Sequence, residues 1–206
     1  MYIKYPSTPF LPWARPDIDG RNIQDLSSFE GHRVIVTEKM DGENTSMYND
    51  HIHARSLDSA NHPSRNYVKG MWGQIRHEIQ DGWRVCGENM YAKHSVYYDN
   101  LESYFLGFSV WNREMCLDWD TTVWWFDRLG VTPVPVLYDG IYDPEHIKTL
   151  WEDDGTSEGY VVRAADAFFL KEFGKSIAKF VRKNHVQTDQ HWMKQEIVPN
   201  QLRSNK

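Results

Sequence analysis

In Glu38-Lys39-Met40-Asp41-Gly42-Glu43-Asn44 (EKMDGEN) a lysine ends the strand-like run HRVIVTEK and stands two residues before an Asp-Gly turn. A lysine so placed can be held rigidly with its amine projecting over a cleft. The amine of a free lysine has a pKa of about 10.4, so only about one in a thousand is neutral at pH 7. To act as a nucleophile it must be desolvated or set beside other cations, a metal ion included. Taken alone, the same letters also describe an ordinary surface lysine next to a hairpin. The segments around it decide between the two.

Outward from this point the chain alternates strand-like and helical stretches. TSMYND and HIHAR form a hairpin reversing at Asn49-Asp50, and DGEN is the turn before it. Pro63 and Ser64 open a helical stretch through Gln80, in which Tyr67, Met71, Ile75 and Ile79 share one face. WRVCGEN and YFLGFSVWN are the next strands, and Thr121 to Leu129 is a helix closed by Gly130. Asp143-Pro144 begins another helix, and GYVVR and AKFVR are late strands. Without a regular βαβ rhythm, this order predicts an α+β fold with largely antiparallel sheets. Residues 1–206 are expected to form a single domain, with 1–30 as an irregular lead-in and 184–206 as a short basic tail.

Composition narrows the classes. A hydrophobic share of 40% and nine Trp support a globular core rather than disorder. No apolar run approaches the roughly 18 to 20 residues that a membrane span needs, and the first residues lack the basic start and apolar stretch of a signal peptide. Cys86 and Cys116 lie in apolar strand contexts, as reduced core thiols in a cytoplasmic protein do. A net charge of −6 argues against indiscriminate coating of nucleic acid. The charge is uneven. From Asp99 to Glu158 there are thirteen acidic and three basic residues, whereas Lys171 to Lys206 holds eight basic and three acidic ones. The basic end reads either as a phosphate-binding strip or as a solvated face.

EKMDGEN is followed in order by HARS, CGENMYAKH, YFLGFSVW, SEGYVVR and AKFVRK. This series, from about Thr37 to Lys183, resembles the ordered motifs of the covalent nucleotidyltransferases, the superfamily of ATP-dependent ligases and mRNA capping enzymes, and more closely its RNA ligase family. The resemblance implies a nucleotidyltransferase domain of antiparallel sheets and flanking helices around an ATP cleft. It implies that Lys39 takes AMP from ATP and passes it to an RNA 5′-phosphate, after which a 3′-hydroxyl displaces AMP. On the same basis Glu38 and Met40 flank the cofactor, and Asp41 holds the turn and meets sugar or metal. Arg55 holds phosphate, where a guanidinium fork suits the geometry. Glu88 accepts from the ribose hydroxyls, Phe108 stacks on adenine, and Glu158 serves the Mg²⁺ ion. Lys179 touches the phosphates and helps expel pyrophosphate.

Two departures from the family pattern stand out. Ser109 follows Phe108 where an acidic residue is common. In the last motif Val181 replaces a second lysine, so the second cation is Arg182 or Lys183. Strand alternation selects Lys183, and a bulge would select Arg182. The nine His lack the ligand density of a structural zinc site. The sequence thus points to an ATP- and Mg²⁺-dependent enzyme acting on RNA. The alternatives are a DNA ligase or capping-type enzyme, or a silent nucleic-acid-binding module. No separate OB domain is expected after AKFVRK.

Overall fold

Val34, Ile35 and Val36 are β-branched and suited to a strand buried on both faces. They form the middle of β1 (Arg33–Glu38). The computed structural model describes residues 1–14, 22–59, 61–152, 155–182 and 196–204. In it, β1 lies between β8 (Val136–Ile141) and β9 (Gly159–Ala164), with β11 (Ile177–Val181) beyond β9, in a four-stranded antiparallel sheet. Val34 and Val36 pack with Trp111, Tyr160 and Val162, while Ile35 faces Met40, Met90 and Leu106. This is the two-residue alternation of a strand with a core on each side.

A seven-stranded sheet makes the second layer. It contains β2 (Glu43–Met47), β3 (Ile52–Ala54), β4 (Trp83–Asn89), β5 (Phe105–Asn112), β6 (Met115–Cys116), β7 (Thr132–Pro133) and β10 (Phe168–Phe169). The order is β10-β6-β5-β4-β2-β3, all antiparallel, with β7 added parallel to β5. The helices are α1 (Asn66–Ile75), α2 (Trp119–Leu129), α3 (Pro144–Lys148) and α4 (Phe173–Ser176). The α+β antiparallel architecture expected from the sequence is the observed one. So is the hairpin: Tyr48 N–H donates to the His51 carbonyl at 2.7 Å, across Asn49-Asp50.

Local chemistry explains the boundaries. Asp118 accepts from Thr121 N–H at 2.8 Å and caps α2, which therefore starts at Trp119, two residues earlier than expected. Gly130, at φ 65°, closes it. In α1 the buried face runs through Val68, Met71, Trp72 and Ile75, and Tyr67 is 40% exposed. Of the face expected from the sequence, Met71, Ile75 and Ile79 pack inward, and only Tyr67 does not, its place being taken by Val68. Glu43 and Asn44 already belong to β2, so the turn before it is shorter than DGEN. The sequence gives no sign of β8, whose Asp139-Gly140 pair looks like a turn but sits in an exposed edge strand.

Both ends of the described chain are stitched to the rest, one to a strand and one to a loop. Lys179 N–H donates to the Pro9 carbonyl at 2.9 Å and Leu11 N–H to the Lys179 carbonyl at 2.8 Å, so the lead-in runs beside β11. Residues 196–204 lie along the loop that joins β4 to β5. Cys86 and Cys116 are buried free thiols. Among the described residues, no helix is long and apolar enough to cross a membrane.

Gly159 begins β9 at φ 147°, and a Cβ there would stand 2.2 Å from the Phe180 carbonyl oxygen of β11. An alanine must therefore prise the two strands apart and adopt a strained backbone. Gly159→Ala should lower the melting temperature by at least about 5 °C, whereas Gly174→Ala, where a Cβ meets nothing within 4 Å, should not. Equal melting temperatures for the two variants would contradict the packing described.

Candidate active site

The two sheets face one another across a cleft of about 760 Å³. On the four-stranded side, Lys179 pairs with Val161 and Val161 with Thr37, so the three stand abreast on β11, β9 and β1, and all line the cleft. On the other side Asn44 of β2 is directly opposite Glu88 of β4, and both line it too. Lys39 sits where β1 ends. Its N–H donates to the Gly159 carbonyl at 2.9 Å, which ties the lysine to the start of β9.

A turn must then reverse the chain into β2 in little room. A Cβ on Gly42 would lie 2.6 Å from the Asn89 carbonyl oxygen and 2.8 Å from Met90 Sδ, so glycine is what lets the turn pass the end of β4. Asp41 secures this turn from outside the cleft. Its Oδ2 accepts from Ser95 N–H at 2.7 Å and Val96 N–H at 2.8 Å, and its own N–H donates to the Tyr98 hydroxyl at 3.1 Å. Of the two duties expected of Asp41, the structure displays the holding of the turn. Asp41 does not line the cleft.

Lys39 Nζ donates to Glu158 Oε2 at 2.5 Å. Glu158 is only 4% exposed, at the end of the acidic run just before β9. Burial alone would depress the amine's pKa, but Glu158 and Glu88, with a smaller push from Asp41, outweigh it and hold Lys39 above the usual lysine range. Glu88 shows the converse. Burial drives its carboxyl up to about 8; Lys39 eases this, and Glu158, Asp41 and Glu43 add to it. Lys179 is depressed to about 8 by burial and by the charges of Lys39 and Arg55, against the pull of Glu158. Its amine rests 4.5 Å over the Phe10 ring.

Phe108 reaches the cleft through an irregularity of β5. The register with β4 slips between Cys86 and Gly87: Cys86 pairs with Ser109 and Gly87 with Gly107, leaving Phe108 as the extra residue of a bulge. Phe105 and Val110, of opposite parity, consequently both join the core around Val85 and Phe126, while Phe108 and Trp111 both face the core around Val34 and Val36. Phe108 is half-buried and meets Tyr5 edge-on at 5.2 Å. Ser109 Oγ is taken by the Trp111 indole N–H at 2.9 Å.

Of the residues singled out from the sequence, Glu38, Lys39, Met40, Arg55, Glu88, Phe108 and Lys179 all line this one cleft, and Glu158 joins it through Lys39. Lys183 lies outside the described residues. The odd-numbered Ile177 and Lys179 do face the cleft, while Phe180 stacks on Tyr160 on the other side at 5.1 Å.

Other lining residues went unnoticed in the sequence. Glu43 and Arg65 form a buried fork-to-fork pair in the wall, at 2.7 and 2.5 Å. Asn44 offers a buried Oδ1 without a hydrogen-bond partner among the described residues. His94 enters from the β4–β5 loop, within the CGENMYAKH segment that marked the region but not this residue. Tyr5, Pro6 and Thr8 come from the lead-in, whose Ser7 hydroxyl accepts from Arg55. A recessed asparagine after an Asp-Gly turn was the available signal for Asn44; no local signal marks the lead-in.

The chain belongs to the RNA ligase family, whose model matches residues 32–181. Solved structures share the fold. A variant Naegleria gruberi RNA ligase with ATP and Mn is 18% identical, with a TM-score of 0.55 over 80% of this chain and 53% of that one. The Naegleria gruberi RNA ligase with PPi is 20% identical, with a TM-score of 0.53 over 88% and 60%. An archaeal ATP-dependent RNA ligase is 16% identical, with a TM-score of 0.54 over 86% and 48%. The chain thus spans about half to three-fifths of these neighbours' length. No curated protein sequence matches it.

The charge arrangement has a thermodynamic signature. Because the folded-state pKa of Glu88 lies above its ordinary value, ionising it costs stability, and that cost grows as the pH rises towards about 8. Glu88→Gln removes the cost. Its melting temperature should match that of the unaltered protein near pH 5 and exceed it by about 2–4 °C near pH 8.5. A difference independent of pH would contradict a raised Glu88.

Proposed function

We propose that this protein is an ATP-dependent RNA ligase that joins a 5′-phosphate to a 3′-hydroxyl through AMP carried on Lys39. One observation carries the reading: in a member of the RNA ligase family, a lysine at a strand end meets Glu88, Arg55, Phe108 and Lys179 in a single cleft. In the first step the neutral Lys39 amine attacks the α-phosphorus of ATP. A P–N bond forms, the bond to the β-phosphate oxygen breaks, and pyrophosphate leaves with the electron pair while the amine loses its proton. In the second step an RNA 5′-phosphate oxygen attacks the same phosphorus, and the lysine departs and is reprotonated. In the third step a 3′-hydroxyl attacks the activated 5′-phosphate, and AMP is released.

Each side chain has a task that suits its setting. Phe108 offers a ring face to the adenine, and Glu88 accepts from the ribose hydroxyls. Asn44, with its free buried acceptor beside Glu88, is a further candidate contact for the nucleoside. Arg55 and Lys179 neutralise the phosphates, and positioning with charge neutralisation is most of what such a reaction requires. Glu38 and Met40 frame the lysine. Lys183 remains our assignment for the second phosphate-contacting cation.

A divalent ion fits these residues in a limited way. Among the described residues, no three His, Cys, Asp or Glu are grouped to cage a metal on their own. Glu158 nevertheless supplies a buried carboxylate beside Lys39, and Mg²⁺ is commonly held by one or two carboxylates together with phosphates and water. When bound there, the ion would offset phosphate charge and favour the neutral amine. Without it, Glu158 stores Lys39 in the protonated form.

We read the chain as one nucleotidyltransferase domain of a cytoplasmic protein, a location supported by its two buried free thiols. RNA as the acceptor rests on the family. Nicked duplexes and free single-stranded ends are both candidate acceptors, and the test below uses nicks.

With Mg²⁺ and α-labelled ATP the protein should gain one AMP through an acid-labile bond. Lys39→Ala and Lys39→Arg should both abolish labelling, since a guanidinium stays protonated. Robust labelling of Lys39→Ala would refute the assignment. Phe108→Ala should raise the ATP requirement by a factor corresponding to about 1–3 kcal/mol, and Phe108→Tyr only mildly. Should Phe108→Ala unfold the protein instead, the ring is a core element. Among matched substrates, the Lys39–AMP form should seal RNA 3′-hydroxyl ends faster than DNA ones. Equal single-turnover rates on all-DNA and all-RNA nicks would favour a DNA ligase.

A further inference from the structure

Residues 90–104, between β4 and β5, form no helix and no strand of either sheet, yet they carry His94 into the cleft. A partly buried loop of this kind must find partners for its inward backbone groups or lose stability. On one side it has the Asp41 carboxylate, which holds the amides of Ser95 and Val96 directly after His94. On the other side its partner is the segment 196–204. Lys93 N–H donates to the Val198 carbonyl at 2.8 Å, and Leu101 N–H to the Gln201 carbonyl at 3.0 Å. In return Asn200 N–H donates to the Tyr91 carbonyl and Gln201 N–H to the Tyr98 carbonyl, each at 2.9 Å.

Asn200 is the centre of this seam. It is 1% exposed. Its Oδ1 accepts from Tyr98 N–H at 3.0 Å, its Nδ2 donates to the Met90 carbonyl at 2.7 Å, and its carbonyl accepts from the Tyr104 hydroxyl at 2.9 Å. Tyr98 then reaches across the loop, and its hydroxyl accepts from the Asp41 N–H, two residues beyond Lys39. Met40, Met90 and Leu101 pack in one cluster beneath. A continuous path of hydrogen bonds therefore runs from Asn200 through Tyr98 to the turn that bears Lys39.

We propose that residues 196–204 are a clasp that positions His94 and the Lys39 turn, with Asn200 as the positioning residue through which the clasp acts. This differs from the role that the basic tail suggested in the sequence. Arg203 is engaged with Glu102 at 3.2 Å, on the loop itself. The clasp works on the geometry of the site, and only its effect on rate rests on the reading of Lys39 as the AMP carrier.

The test uses the full chain with Asn200→Ala and Asn200→Asp. Asp keeps the acceptor for Tyr98 N–H but sets a carboxylate oxygen against the Met90 carbonyl. The first measurement needs no nucleotide: hydrogen exchange at Ser95 and Val96, the amides held by Asp41. In Asn200→Ala their exchange should quicken at least about tenfold, as expected from losing one or two buried hydrogen bonds, while β1 and β9 amides stay unchanged. Unchanged exchange at Ser95 and Val96 overturns the clasp. So does exchange that quickens equally throughout β1 and β9, which is global loosening. If Asn200→Ala does not fold, Asn200→Asp decides the same comparison, with a smaller increase expected. The second measurement is AMP transfer to Lys39, whose rate at saturating ATP should fall about tenfold with little change in half-saturating ATP. A rise in half-saturating ATP with an unaltered maximal rate counts against positioning. If the unaltered protein takes up no AMP, the ligase reading fails and the exchange result still decides the clasp.

Discussion

The contact between Lys39 and Glu158 sets the terms for the rest of this molecule. A cation and a carboxylate at 2.5 Å, with Glu158 4% exposed, are costly to remove from water unless each has the other. The partners lie 119 residues apart in sequence. β1 and β9 must therefore be neighbours in correct register, which the Lys39 N–H to Gly159 carbonyl bond fixes at the point where it matters. Gly159 itself must lack a side chain so that β11 can lie against β9, and β11 brings Lys179 into the same field of charges.

The field is unbalanced in a useful way. Glu88 is pushed up to about 8 and Lys179 down to about 8, so three residues of the cleft sit away from their ordinary protonation behaviour, Lys39 being held high. Such shifts concentrate where chemistry is done. In our proposal the polyanionic substrate resolves the conflict. Its phosphates favour protonated Lys179 and pair with Arg55, and ribose hydroxyls give the Glu88 carboxylate donors. Once Glu158 is engaged elsewhere, burial loses its strongest opponent, and the balance at Lys39 moves towards the neutral, nucleophilic amine.

Much of this was legible in the sequence. The apolar run at 34–36, the Asn49-Asp50 reversal and the Gly130 stop reflect short-range rules and reappear as β1, the β2–β3 hairpin and the end of α2. Lys39, Glu88 and Lys179 were legible through the resemblance of EKMDGEN, CGEN and AKFVRK to the family's ordered motifs, and their strands bring them to one cleft. What escaped depends on long-range contacts. Phe108 was reached by resemblance, but the bulge that turns it towards the cleft is a property of the β4–β5 pair. Arg65 and Glu43 are 22 residues apart and meet only when α1's leading turn packs on β2. The lead-in and the segment 196–204 carry little local pattern, because their backbones are satisfied by β11 and by the loop at 90–104 rather than by themselves.

The most direct test of the account is the titration of the Lys39 amine in the nucleotide-free protein, followed by nitrogen-15 resonance of labelled lysine, with and without Glu158→Gln. The account predicts that Lys39 titrates above the ordinary lysine range in the unaltered protein and at clearly lower pH in Glu158→Gln, where burial loses its strongest opponent. A Lys39 resonance that titrates alike in both proteins would contradict the claim that Glu158 governs this amine.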